Sequence, residues 1–210
     1  MDTCTVRYSQ PVPRPLDHAR RAELLSGVIS YIAERGLAEL SLRPLAEYLG
    51  TSSRMLIHYF GTKEQMLIAA LETQRPDIPA LFAGIDNPDV LKSRLAQSFT
   101  LNTTGDASVS IRVLLQVLGA ATVPGSPFTA YATDAVRVLV SAMADTLARI
   151  DPAIDDPEAA ATLLISGMRG IITDWWITGD TDRITRAVNR LVTQAFRSVP
   201  VSVPPGRSLL

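Results

Sequence analysis

Cysteine is nearly absent. Cys4 stands alone, so no intramolecular disulfide can form and a disulfide-stapled fold is excluded. Histidine is almost as scarce: His18 and His58 are the only two, and no Cys/His set has the spacing of metal ligands. No metal or other cofactor is therefore expected. No stretch reaches the roughly 18 uninterrupted apolar residues of a membrane span. Met1 to Pro15 is polar and carries Pro11, Pro13 and Pro15, unlike the apolar run of a signal peptide. A cytoplasmic protein with no membrane partner is expected. An excess of charge is lacking too: the net charge is −1, with nine Lys/Arg against eight Asp/Glu in 1–75 and eleven against thirteen beyond. That asymmetry is too small to mark a nucleic-acid-binding half, so a DNA reading has to rest on local placement of cations. Finally, there is no Gly-rich phosphate loop, no activated Ser or Cys pattern and no metal set, so no catalytic residues are expected and the chain reads as a non-enzyme.

What is present is helical periodicity. Leu25, Val28, Ile29 and Ile32 recur at i, i+3, i+4 and i+7, with Arg20, Arg21, Glu23 and Glu34 largely off that stripe. Asp17 is a candidate N-cap and Gly36 a candidate stop. A short second helix is expected from Ser41, with Pro44 in its first turn, ending near Leu49. Gly50 can make a tight turn, Thr51 or Ser52 can cap again, and a third short helix continues to Phe60. The run Gly61-Thr62-Lys63-Glu64 reads as turn and cap before a connecting helix over 63–75, closed by Pro76. Further breaks fall at Asp86-Asn87-Pro88, Thr103 to Asp106, Pro124 to Pro127 and Asp151 to Pro157. Period-2 strand patterns are absent. The expected fold class is all-α: an N-terminal three-helix helix-turn-helix domain and a larger helical domain.

Ala46, Gly50 and Leu56 each have a packing reason. A small residue lets two helices approach, a glycine turns the chain, and a leucine anchors the second helix while its other face stays free for a major groove. The string Leu45-Ala46-Glu47-Tyr48-Leu49-Gly50-Thr51-Ser52-Ser53-Arg54-Met55-Leu56-Ile57-His58-Tyr59-Phe60-Gly61-Thr62-Lys63-Glu64 is longer and more specific. It resembles the DNA-binding core of the tetracycline-repressor (TetR) family over about residues 17–72, most tellingly in His58-Tyr59-Phe60 followed by Lys63-Glu64. The resemblance implies a homodimeric regulator, a repressor by family habit, on a palindromic double-stranded DNA operator. It implies a recognition helix over about 52–58, with Tyr59 and Lys63 on phosphates and Ser52, Ser53, Arg54, Met55 and His58 near the groove. Thr51 belongs to the same surface. Arg43 is a further phosphate candidate. Chemistry agrees, since hydroxyls and helix-start amides suit phosphate oxygens and an Arg can read guanine. Two positions depart from the commonest family pattern: Arg54 stands where glycine is frequent, and Ile57 where an aromatic is frequent. They leave a helical interaction protein with lost DNA binding as the alternative. His58 and Tyr59 also admit a plain packing role, and Lys63, a cation opposing a helix dipole, calls for a partner outside the chain.

Beyond Pro157 the apolar residues surround more than one helix face, and Gly167 and Gly170 allow close backbone approach. The next helix places Ile184, Ala187, Val188, Leu191, Val192, Ala195 and Phe196 at helical spacing, with Arg183, Arg186, Arg190 and Arg197 mostly opposite. Surplus apolar surface suggests a partner, and the family's last two long helices form its dimer interface. Leu164, Gly167, Ile171, Val188, Leu191 and Val192 are the expected dimer contacts. Between these regions, 88–150 is expected to supply part of a pocket for a small, largely apolar effector of unknown identity. Its candidate lining is Phe99, Arg112, Gln116, Met143, Trp175 and Trp176. The domain reading is thus an arm of 1–15, a DNA-binding domain of 16–62, a ligand-binding and dimerisation domain of 63–199, and a tail of 200–210, with both termini expected to be disordered.

Overall fold

The computed structural model describes residues 17–105 and 107–194. The arm of 1–15, Cys4 within it, the tail of 200–210 and the apolar positions Ala195 and Phe196 lie outside the described residues. Within them all regular structure is helical: α1 (His18–Arg35), α2 (Leu42–Tyr48), α3 (Ser53–Phe60), α4 (Lys63–Glu72), α5 (Ile78–Phe82), α6 (Pro88–Thr104), α7 (Ala107–Ala121), α8 (Thr129–Ile150), α9 (Pro157–Thr178) and α10 (Thr181–Gln194). None of these is long and apolar enough to cross a membrane.

The helix starts follow from the side chains that precede them. The Asp17 carboxylate accepts from the Arg20 amide at 3.0 Å, satisfying one of the donors a helix start leaves bare. Ser52, rather than Thr51, caps α3, taking the Met55 amide at 3.2 Å. Thr62 and Gln65 form a capping box at α4, the Thr62 hydroxyl accepting from the Gln65 amide at 3.1 Å and the Gln65 carbonyl from the Thr62 amide at 3.0 Å. Ser41 occupies the cap position of α2 but makes no side-chain cap bond. Gly50 adopts φ +61°, and the Thr51 amide reaches back to the Ala46 carbonyl at 2.9 Å, which closes α2 and aims the chain into α3. A contact that periodicity does not expose sits on α1. A Cβ at Gly27 would meet the end of the Leu49 side chain, so with glycine there that leucine packs against α1 as it stands. The five-residue α5 was likewise not distinguished from the surrounding chain by its pattern.

Three hydrophobic clusters hold the helices. The first contains Leu24, Val28 and Ile32 of α1, Leu45 of α2, Leu56 and Phe60 of α3, and Met66, Leu67 and Ala70 of α4. It runs on without a break into Val113 and Val117 of α7 and Tyr131 of α8, so the expected boundary at 62/63 is not a gap in the packing. The second joins Met143 and Leu147 of α8 to Ala161, Leu164 and Ile165 of α9, with Ile85 and Leu91. The third joins Met168 and Ile172 of α9 to Ile184, Val188 and Val192 of α10, with Phe99, Leu115, Trp175 and Trp176 packed around it.

This packing corrects part of the expected dimer face. Leu164, Val188 and Val192 are buried inside the protomer, and a Cβ at Gly167 would stand 2.7 Å from Leu191 Cδ1 of the same chain. The apolar surplus at those positions is consumed by α9 packing on α8 and α10. Ile171 and Leu191 are likewise half-buried against the third cluster. The α9 face that stays apolar and exposed carries Leu163 and Ile177, which are 52 % and 78 % exposed.

Candidate nucleic-acid interface

One side of α3 is buried and the other is bare. Leu56 and Phe60 point into the first cluster, whereas Arg54 and His58 are exposed and Met55 and Ile57 are 40 % and 41 % exposed. Apolar side chains open beside a cation suit contact with base edges, where a thymine methyl is apolar. Arg54 makes no hydrogen bond or ion pair among the described residues and is free to turn outward. Ser53 is half-buried at the first turn and Thr51 half-buried in the preceding loop. The Ser52 oxygen is already engaged as a cap, so its hydroxyl has only its proton left for an outside acceptor.

Around this face the supporting residues differ in freedom. His58 is exposed, with its ring edge 5.9 Å from the Tyr59 ring, so a role as a core packing residue does not fit it. Tyr59 is half-buried against Phe60 and the first cluster, and its hydroxyl takes no hydrogen bond among the described residues. Arg43 is splayed into solvent, held only by Glu47 at 3.5 Å across a pair that is 90 % and 71 % exposed. Such a pair contributes little and leaves Arg43 available. Lys63 departs from expectation. Its ammonium donates to the Leu40 carbonyl at 3.5 Å, so a partner within the chain offsets the unfavourable dipole at the start of α4 and no outside anion is required. Arg20 pairs with Glu23 at 3.0 Å, and the Arg21 guanidinium lies 5.2 Å over the Phe60 ring. Both are tied to the scaffold.

Two tethers fasten these helices to the rest of the molecule. At the end of α1, the Gln116 carbonyl oxygen on α7 accepts from the Leu37 amide at 2.7 Å, and its amide nitrogen donates to the Ile32 carbonyl at 3.5 Å. At the end of α4, Arg75 donates to Asp134 of α8 at 2.7 Å and stacks 4.9 Å over Tyr131. The Tyr131 hydroxyl donates to the Leu71 carbonyl at 3.3 Å. Arg137 and Arg75 together hold the Asp134 carboxyl below the usual carboxylate range. None of these contacts is legible from local spacing, because the partners are 59 to 84 residues apart.

The residues expected to line an effector pocket do not all meet. Phe99, Trp175 and Trp176 gather around the third cluster, and the Arg112 guanidinium stacks 4.9 Å from the centre of the Trp176 ring. Met143 instead belongs to the second cluster, buried against Leu147 and Leu164, and Gln116 is spent on α1. Arg169, not anticipated from the sequence, lies half-buried on α9 near the tryptophans. A surface depression of about 580 Å³ is an open groove on the outward side of α9 lined by Leu163, Ser166 and their neighbours. It is separate from the tryptophans and continuous with the exposed apolar face of α9.

Residues 24–70 match the family described as "Bacterial regulatory proteins, tetR family". No curated protein matches the chain. Solved structures share the fold over most of its length. A putative TetR-family transcriptional regulator from Rhodococcus sp. is similar at 21 % identity and a TM-score of 0.62, over 83 % of this chain and 95 % of that one. A putative transcriptional regulator from Saccharomonospora viridis, in complex with choline, reaches a TM-score of 0.70 at 21 % identity, over 85 % and 96 % of the two chains. AibR in complex with isovaleryl coenzyme A and operator DNA gives a TM-score of 0.65 at 20 % identity, over 84 % and 98 %. The helix-turn-helix segment thus matches the TetR family in sequence, and the helical body is similar in fold to regulators of that kind.

Proposed function

We propose that this protein is a repressor that works as a homodimer, grips a two-fold symmetric operator with its paired α3 helices, and releases it when a small, largely apolar effector binds near Trp176. The observation that carries the reading is the division of α3 into a buried side, Leu56 and Phe60, and an open side, Arg54, Met55, Ile57 and His58. The open side carries no acidic residue, and its cation, Arg54, has no partner among the described residues. Tyr59, Arg43 and Lys63 flank it as phosphate contacts, and Arg54 is the side chain placed to read a base. AibR was solved with operator DNA and isovaleryl coenzyme A, which supports a DNA site and an effector site on one chain of this fold. For the dimer, the outward face of α9 takes the place of the buried positions: Ala159, Leu163, Ser166, Gly170 and Ile177 recur at helical spacing on it.

The test is selection of bound duplexes from a random pool, followed by anisotropy titration of wild type and two variants. Lys63→Ala should weaken binding to all sequences and reduce the salt slope by about one. Arg54→Ala should cost on the order of 1–3 kcal/mol on the selected site and relax discrimination at one base position per half-site. Failure of the wild type to enrich any inverted repeat would overturn the reading.

A further inference from the structure

At Trp176, where Arg112 of α7 meets α9, and two turns earlier at Arg169, three donor groups have no acceptor among the described residues. The indole nitrogen of Trp176 is buried and bonds to nothing, although a buried N–H normally finds a partner. Arg112, over the face of that same indole, has no carboxylate beside it among the described residues. Arg169 stands seven residues before Trp176, two turns earlier on the same side of α9. It is half-buried, and its guanidinium makes no hydrogen bond or ion pair among the described residues. Loss of water around its guanidinium lowers its affinity for the proton, and no neighbouring charge compensates.

Among the described residues no carboxylate pairs with either guanidinium. α7 contains no acidic residue. The nearest acid along α9, Asp174, is held by both terminal nitrogens of Arg183, at 2.6 and 2.9 Å. Phe99, Leu115 and Ile172 belong to the same apolar cluster as Trp176. A buried indole N–H without a partner, a half-buried guanidinium and a second, exposed guanidinium over the indole suit negative charge and acceptor oxygens on an apolar body.

We propose that the effector is an amphipathic monocarboxylate, its oxygens taken by Arg112, Arg169 and the Trp176 indole N–H and its apolar body packed on Phe99, Leu115 and Ile172. This rests on the reading of the protein as an effector-released repressor and names the class of effector. A neutral or cationic apolar compound would leave the three donors unanswered and add nothing for them to bind.

The full-length protein would be titrated with octanoate and 2-naphthoate, and with octanamide and 2-naphthamide as uncharged matches. Tryptophan fluorescence and thermal denaturation report binding, and operator anisotropy is measured separately. At least one acid should change the fluorescence, raise Tm and bind tenfold or more tightly than its amide. Arg169→Gln and Arg112→Gln should each remove most of that preference while leaving amide binding unchanged, and Trp176→Phe should weaken the acid without loss of folding. Amides that bind as well as acids, acid affinity unaffected by either arginine variant, or no response to either acid at millimolar concentration would overturn the proposal. Acid binding with the expected charge preference but no operator release would leave the site standing and remove the effector-released repressor reading instead. Operator release by uncharged compounds alone would do the reverse.

Discussion

The two ends of the molecule treat their polar groups differently. Around α1 to α4, Asp17, Ser52, Thr62 and Gln65 occupy caps, Tyr48 donates to Glu34 at 2.9 Å, and even the awkwardly placed Lys63 has the Leu40 carbonyl. Around α7 and α9, Trp176 keeps an unanswered donor, and Arg112 and Arg169 lack counter-charges. The first region satisfies most of its helix starts locally, and its unpaired groups, Arg54 and the Tyr59 hydroxyl, lie on the face it turns outward. The second is complete only in its apolar contacts, and its unmatched donors mark it as the part whose energetics depend on something added. This is the division expected of a protein with a rigid reading head and an adjustable body.

The largest effects should come from breaking the first region. Leu56 is 1 % exposed and sits where α3 meets α1 and α4. Leu56→Ala should lower stability by about 2–5 kcal/mol, read by chemical denaturation, and operator affinity should fall with the folded fraction. A loss below about 1 kcal/mol would mean that α3 is not anchored as described.

The two glycines of α9 separate packing within the protomer from packing between protomers. A Cβ at Gly167 meets Leu191, whereas one at Gly170 meets nothing within 4 Å. Gly167→Glu should therefore destabilise the protomer itself, by roughly 1–3 kcal/mol or more from overpacking alone. Gly170→Glu should leave a helical, cooperatively melting chain that sediments as a monomer and loses operator affinity, because two half-sites are no longer engaged together. A wild-type protein that is monomeric at micromolar concentration, or a dimeric Gly170→Glu protein, would remove α9 from the interface.

Gln116 tests the connection between the regions. It sits one turn from Arg112 on α7, and its amide also donates to the Arg112 carbonyl at 3.3 Å, so the residue that touches α1 adjoins the one that stacks on Trp176. Gln116→Met keeps the length and removes the acceptor for the Leu37 amide. A part-buried amide left unpaired should reduce stability by about 1–3 kcal/mol, and hydrogen exchange at Leu37 should accelerate. If exchange there is unchanged, the 2.7 Å contact is not what holds α1 to α7.

How much of this was legible in the sequence follows from the range of the interactions. The helix-turn-helix was readable because its determinants are local. Asp17 caps its own helix, Gly50 supplies its own turn, and Leu56 is spaced to face the core. The breaks near Asn87, Thr104, Pro124 and Pro157 were readable for the same reason. The face assignments of α9 were not, because periodicity marks a residue as apolar without saying whether its partner is α10 of the same chain or another protomer. Leu164 and Val188 were misplaced on that account. Gln116 looked like a ligand-binding group because a lone amide in an apolar helix has no local partner. Its partner, Leu37, is 79 residues away. Arg169 escaped notice because its significance lies in what fails to surround it.

The smallest expected effect concerns the corner between α9 and α10, where the body does match its charges. Arg183 donates to Asp174 at 2.6 and 2.9 Å, and its side chain and backbone amide reach Asp180 at 3.1 and 3.0 Å. These contacts hold both carboxyls below the usual carboxylate range, through the Arg183 side chain at Asp174 and chiefly through its backbone amide at Asp180. A carboxyl whose folded value is depressed adds stability above its unfolded value, near about pH 4, and that contribution is lost as the pH falls through the folded value. Wild type should therefore melt above Asp174→Asn at neutral pH, by a small margin because the pair is well solvated. The margin should close on acidification below about pH 4. The position of Asp174 gives the comparison its sharpest form. It lies two residues before Trp176, yet it is bound on the side of Arg183 and leaves the donors on the α7 side unanswered. If the Asp174→Asn protein shows the same pH profile as wild type, the Arg183 pairing does not hold Asp174 in solution.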